Sequence, residues 1–311
     1  MAEKNNKPFR DFGDFLRTVF PFKVQKISVN AGFTCPNRDG TKGWGGCTYC
    51  NNQTFSPQSA VNGKSVGRQL EEGIRFFSHK YPRMKYIAYF QAYTNTYDRP
   101  ENLLSKYHEA LNYPNVAGLI IATRPDCMPD ELLGELQKIG KKHFILVEYG
   151  IESTNNDTLK FINRGHTYED AVETIQRTHE RGIFCGAHLI LGLPGETREM
   201  ILAHADKISS LPLTSLKLHQ LQLIKHTRMV EQLKETPELF HRYEPDEYIN
   251  LCIDFLKRLN PDFYIERFVS QSPAELLAVP GWGLKNYEFT AKLLAKAERV
   301  AVRQGQDAGR K

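Results

Sequence analysis

Strand-like apolar runs recur along this chain with helix-like segments between them, and that alternation constrains the fold more than any other feature. Val24–Asn30 alternates apolar and polar residues and reads as a first strand. Tyr86–Phe90, Ala117–Thr123, Phe144–Gly150, Phe184–Leu191, Ser215–Leu223 and Phe263–Phe268 follow as further strands. Helices are expected over Ser65–Lys80, Glu101–Leu111, Pro129–Ile139 and Tyr168–Arg181, the last stopped by Gly182. Two more are expected, one ending near Ser209 and one over Asp246–Leu259. Strands joined by helices imply right-handed βαβ units in a parallel sheet. Six such units, with polar and glycine-rich segments at the strand ends, point to an α/β partial (β/α)6 barrel closed by a C-terminal strand and helix. The organisation expected is an N-terminal extension over 1–23, a core barrel over 24–235 and a C-terminal extension over 236–311 that ends in a basic tail.

In such folds the chemistry collects where strands end. Those ends are the Cys35–Cys50 loop, Gln91–Tyr97, Thr123–Asp126, Glu148–Ser153, Gly192–Glu196 and His219–Thr227. The first holds three of the six cysteines, spaced Cys35-x11-Cys47-x2-Cys50 amid glycines. Thiolates are soft ligands that select zinc or iron–sulfur centres. Structural zinc needs four ligands, and no histidine lies between Cys35 and Cys50, so Cys127 or a distant histidine would have to complete the set. A redox pair at Cys47 and Cys50 leaves Cys35 and the glycines unexplained. A [4Fe–4S] cluster on three thiolates leaves one iron open to another ligand. Cys127, Cys185 and Cys252 stand alone and read as small buried hydrophobes.

Charge narrows the partners only slightly, with 41 basic against 36 acidic residues. Six basic and two acidic residues from Lys292 to Lys311 leave a local +4, which reads first as a solvated helix end. No N-terminal apolar run has signal-peptide length, and no stretch approaches the roughly 20 apolar residues that span a bilayer. A cytoplasmic location without membrane association is expected.

The cysteine spacing, with the strand-end segments in their chain order, resembles the radical S-adenosylmethionine (SAM) superfamily. The commonest form there is Cys-x3-Cys-x2-Cys, and the stretched first gap here resembles the elongator-like branch. The resemblance implies that Cys35, Cys47 and Cys50 hold a [4Fe–4S] cluster. It implies that SAM, cleaved reductively there, gives the 5′-deoxyadenosyl radical that abstracts hydrogen from a substrate. It also distributes cofactor-binding roles. Tyr49 lies near the adenine, and Gln91, Thr94 and Asn95 receive the methionine amino group. Glu148 takes the ribose, Ser153 the methionine moiety and Arg164 its carboxylate, while the Gly192 and Leu221 segments border the adenine. His188 and His219 read as core histidines ahead of substrate contacts.

Tyr89–Tyr97, Ile121–Cys127 and Ser272–Leu277 together resemble the YtqA/YhcC-type family of elongator-like radical SAM proteins. That likeness implies an MnmL-type tRNA-modifying enzyme that takes 5-carboxymethylaminomethyl uridine at the wobble position to 5-aminomethyl uridine. The partners implied are the tRNA anticodon region, an electron donor not identified by the sequence and a downstream SAM-dependent methyltransferase. Arg38, Lys42, Arg68, Arg299, Arg303, Arg310 and Lys311 are candidate phosphate contacts, and Trp44 or Tyr97 a candidate base-stacking surface. No counterpart of the elongator enzyme's acetyltransferase domain is expected. Two other readings stay open: a radical SAM enzyme for a small molecule or protein, and a non-catalytic zinc or iron–sulfur binding module.

Overall fold

The computed structural model describes residues 7–51, 54, 63–79, 81 and 83–309. Seven strands form one parallel sheet in simple chain order: β1 (Val24–Val29), β2 (Lys85–Phe90), β3 (Val116–Thr123), β4 (Phe144–Glu152), β5 (Phe184–Leu191), β6 (Ser215–Gln220) and β7 (Tyr264–Arg267). The expected C-terminal strand thus extends the same curled sheet as the other six. Strand β6 stops at Gln220, three residues short of the expected end, because Gln222 turns to accept hydrogen bonds from Ser270 and Ser272.

The strands' period of two sorts their side chains into two layers. Ile27, Tyr86, Ala88, Leu119, Ile121, Val147, Cys185, Leu189, Leu216 and Ile265 belong to a large apolar cluster that also takes in the helices' buried faces. These helices are α2 (Val66–Ser78), α3 (Pro100–Leu111), α4 (Asp130–Gly140), α6 (Tyr168–Glu180), α7 (Arg198–Ile208), α9 (Pro245–Arg258) and α10 (Asn286–Arg299). Most expected helices sit within a residue or two of their sequence limits. Ser65 caps α2 through a bond from Arg68 N, and Thr167 with Asp170 forms a capping box on α6. Three short helices were not anticipated: α1 (Phe12–Val19), α5 (Asn156–Phe161) and α8 (Arg228–Glu235).

The inner layer is apolar at one end and charged in the middle. Helix α1 inserts Phe12 and Phe15 beneath Ile87, Ile120, Phe144 and Leu146. Phe15 also meets Phe184 and Tyr264 at ring separations of 5.2 Å. This aromatic plug closes the barrel at the strands' N-terminal ends, and Asp11 bridges Ile265 at the free edge of β7. Burying such rings contributes about 2–3 kcal/mol each. The C-terminal segment also lies at this closed end, where Gln304 bonds Pro8, Asn260 and Phe263. Arg299 and Arg303 therefore sit beside the barrel's closed end, away from the strand C-termini, which takes these two out of reach of a substrate at the mouth. Arg310 and Lys311 lie outside the described residues.

Candidate active site

The unusually long gap between the first two cysteines is a hairpin. Asp39 bridges Trp44 in antiparallel fashion and Gly40 N donates to Gly43 O at 3.1 Å, so the eleven intervening residues fold out and back. Gly45 and Gly46 return the chain with φ of +79° and +85°, conformations that a side chain disfavours. Gly46 N then donates to Asn37 O at 2.8 Å and closes the excursion beside Cys47. The hairpin is anchored across the mouth: Asn37 Nδ2 donates to Asn163 O, and Asn163 Nδ2 donates to Gly46 O at 2.9 Å. A gap of this length therefore costs the site nothing in proximity, since Cys35, Cys47 and Cys50 all border one cavity at the strand C-termini.

Tyr49, Gln91, Thr94 and Arg164, to which the resemblance gives cofactor roles, line that same cavity. Arg164 is fixed on three sides, with Nη2 donating to Gly150 O at 2.7 Å, Nη1 3.5 Å from Cys47 Sγ, and Glu152 at 3.4 Å. Burial opposes its charge, but Tyr49, Cys47 and Glu152 outweigh that and hold it firmly protonated. Burial and the neighbouring Cys47 push the Cys50 thiol up to about 12. Such thiols ionise readily only when a cation takes their charge.

Three expected residues lie behind the wall instead. Glu148 sits in the barrel interior, 1% exposed, where Oε2 accepts from Lys217 at 2.8 Å and bonds His188 at 2.9 Å. It is therefore an internal counter-ion rather than a group presented to a ribose. Burial would raise its pKa, yet Lys217 and His188 hold it well below the usual carboxylate range. Ser153 is fully buried and donates to Glu196 at 2.5 Å, within a cluster that includes His204. Asn95 is also buried, its amide donating to Ala122 O at 2.8 Å and Phe90 O at 3.1 Å, so it braces the loop after β2. Gly192 and Leu221 line a neighbouring cavity of about 360 Å³ beside Tyr243 and Trp282. A side chain at Gly192, with φ of +88°, would meet the Tyr243 ring at 3.1 Å.

The carboxylate that does face the cysteines is Glu152. Strand β4 slips register against β5 between Gly150 and Glu152, and Glu152 has φ of +67°, a strained conformation for a non-glycine residue. The bulge turns it into the cavity. Arg124 was also missed; its guanidinium bonds Asp126 at 3.0 Å and Arg164 O at 2.7 Å, and holds Asp126 at about 2 against the cost of burial. Lys42 pairs with the same Asp126 at 2.5 Å, and Arg68 pairs with Glu71 and Glu72, so neither presents a spare charge. Arg38 lines the cysteine cavity, while Trp44 is 77% exposed at the hairpin tip. Tyr97 donates to Thr41 at 2.7 Å. Cys127, Cys185 and Cys252 are buried, as expected of apolar filler.

The donor set fits an iron–sulfur cluster with a charged co-ligand. Among the described residues no three Cys, His, Asp or Glu side chains converge as ligands of a single metal ion. The thiols instead border a space, with Arg38, Arg124, Arg164 and Arg267 around it and, among the described residues, Glu152 as the one carboxylate lining it. That balance suits an anionic thiolate cluster and a carboxylate-bearing ligand. No helix among the described residues is long and apolar enough to cross a membrane.

Comparison with known proteins agrees with this geometry. Residues 33–208 match the radical SAM superfamily, and residues 213–299 match the radical SAM C-terminal domain. YtqA of Bacillus subtilis is 34% identical over 307 residues, 96% of this chain and 92% of that protein. The tRNA uridine(34) acetyltransferase of Methanocaldococcus infernus is 30% identical over 159 residues, covering 50% of this chain and 28% of that protein. The solved archaeal Methanocaldococcus infernus Elp3 has the same fold, with a TM-score of 0.67 at 18% identity; the match covers 91% of this chain and 64% of that one. The chain belongs to the radical SAM superfamily and is a radical SAM enzyme with a [4Fe–4S] cluster and SAM as its cofactors.

Proposed function

We propose that this enzyme modifies wobble uridine in tRNA, converting the 5-carboxymethylaminomethyl group to 5-aminomethyl. The observation that carries the reading is the similarity of half the chain to a tRNA uridine(34) acetyltransferase. It is joined by similarity over nearly the whole chain to YtqA. An exposed Trp44 on the hairpin beside the cysteine cavity supports it, because a target base must be splayed out and stacked to enter such a mouth.

In this reading Cys35, Cys47 and Cys50 hold the cluster, and Tyr49, Gln91, Thr94 and Arg164 hold SAM. Together the two cofactors supply one-electron chemistry that removes a hydrogen atom from the substrate. Arg164 acts as a fixed cation at the Cys47 edge, its position set by Gly150 and Glu152. Asn95 and Glu148 act behind the surface, bracing the loop and the interior. The Asn37–Asn163 clasp keeps the cysteine hairpin seated over the barrel and helps exclude water. An electron donor is the partner this role requires, and a downstream SAM-dependent methyltransferase would act on its 5-aminomethyl product.

Nucleoside mass spectrometry of tRNA from a deletion strain tests the proposal. Carboxymethylaminomethyl uridine should accumulate and disappear on complementation by the wild-type gene. An unchanged nucleoside profile sinks the assignment.

A further inference from the structure

A ladder of charges runs up the barrel interior and ends at the cysteine cavity. Lys26 meets Glu266 at 2.6 Å, and Lys217 meets both Glu266 and Glu148 at 2.8 Å. His188 continues from Glu148 at 2.9 Å, and its ring lies 5.6 Å from that of His219. Arg267 Nη2 donates to His219 Nε2 at 2.8 Å, and His188, His219 and Arg267 all line the cavity.

The formal charges of this ladder do not balance. Lys26, Lys217 and Arg267 face Glu148 and Glu266, which is three cations against two carboxylates. The lysines share the carboxylates, and among the described residues no carboxylate forms an ion pair with Arg267. Its Nε is buried without a hydrogen-bond partner. His219 offers no counter-charge, since burial and the adjacent Arg267 hold its imidazole well below its ordinary pKa and keep it neutral. The placement comes from a bulge. Leu216 pairs with Ile265 and Lys217 with Arg267, so Glu266 is the extra residue and both it and Arg267 turn inward. An uncompensated guanidinium in a half-buried site is costly to maintain, and its planar fork is suited to a carboxylate.

We propose that Arg267, oriented by His219, is the specificity-determining anchor for a carboxylate on the substrate. Resting on the tRNA reading above, that carboxylate is the carboxymethyl end of the wobble-uridine side chain. The methionyl carboxylate of SAM has the same chemistry, and the test separates the two sources.

Anticodon stem-loops carrying 5-carboxymethylaminomethyl uridine, 5-methylaminomethyl uridine or plain uridine at the wobble position are titrated against reconstituted wild-type, Arg267→Gln and Arg267→Lys holoprotein. SAM affinity of each is measured by equilibrium dialysis, and thermal melting checks folding. Wild type should prefer the carboxylate-bearing RNA. Arg267→Gln should weaken that one RNA by about 10- to 100-fold, the range for a lost charged hydrogen bond, with Arg267→Lys recovering part of it and the other affinities changing by less than about threefold. Equal loss on all three RNAs overturns the proposal, and loss of SAM affinity instead overturns it by assigning the anchor to the cofactor. A wild type that binds the stem-loops but ignores the carboxylate defeats the Arg267 role alone. A wild type that binds none of them better than a scrambled hairpin defeats the tRNA reading and this inference with it.

Discussion

Glu148→Gln separates a counter-ion inside the barrel from a cofactor ligand at its mouth. Glu148 Oε2 lies 2.8 Å from Lys217 Nζ and the side chain is 1% exposed. At an effective dielectric of about 20, a unit pair at that distance is worth about 6 kcal/mol. Desolvation of the carboxylate offsets part of this, and Lys217 keeps Glu266 at 2.8 Å and the Tyr89 hydroxyl at 3.0 Å. The expected destabilisation is therefore about 3–5 kcal/mol, the range for removing one partner of a buried pair. In a chain of this size that lowers the melting temperature by roughly 5–8 °C. The pH dependence has a definite sign. The folded pKa of Glu148 lies well below its ordinary 4.5, so the stability it contributes is complete above that value and is lost as pH falls. The gap between wild type and variant should be constant near neutrality and narrow below about pH 4.5. Urea unfolding of the anaerobic apo proteins, followed by far-ultraviolet circular dichroism, measures it. Pairing Glu148→Leu with Lys217→Met should restore much of the loss, because no charge is left stranded. SAM affinity of the folded variant should change little. A variant as stable as wild type but with SAM affinity reduced tenfold or more, about 1.4 kcal/mol, refutes the counter-ion role.

Cys47→Ala should lose the reconstituted protein's visible charge-transfer absorbance and most of its iron; retention of both refutes the assignment of the ligands. Phe15→Ala removes a ring that meets Phe144, Phe184 and Tyr264 and should cost about 3–5 kcal/mol in urea unfolding without altering cluster content. Asp126→Asn should cost roughly 2 kcal/mol at neutral pH, since Arg124 and Lys42 hold the carboxyl near 2 against an ordinary 3.8. The wild-type share of that stability is full above pH 3.8 and is lost as pH falls through 2, so a cost that persists at pH 2 would contradict the pairing.

The parallel strand order and the cysteine loop were legible because both rest on local pattern. Apolar runs separated by capped helices leave little choice but βαβ units, and thiols spaced around glycines announce a soft-metal site. Helix α1 was not legible, because its Phe12 and Phe15 make sense only against Phe144 and Phe184, more than a hundred residues away. Periodicity over eight residues is too short to declare such a plug. The placement of the basic tail was not legible for a related reason: charge along the chain says nothing about which end of a barrel receives it, and Gln304 ties the segment to the closed end.

The choice between Glu148 and Glu152 shows where pattern reasoning meets its limit. Both lie on β4 with the same two-residue phase, so alternation alone sends both inward and cannot say which reaches the ligand. Depth decides it. Glu148 is level with Lys217 and is absorbed by the ionic ladder, whereas Glu152 follows a register slip that carries it to the Arg164 side of the cysteine cavity. The same device recurs at β7, where a second slip delivers Arg267 to the opposite side of the mouth. Bulges at two strand ends thus place one carboxylate and one unpaired guanidinium on the cavity, while the regular parts of those strands build only the interior. A single deletion that removes Ile151 or Glu266 should restore regular pairing and abolish SAM or RNA binding at the corresponding side, whereas a conservative substitution at either site should leave the placement intact.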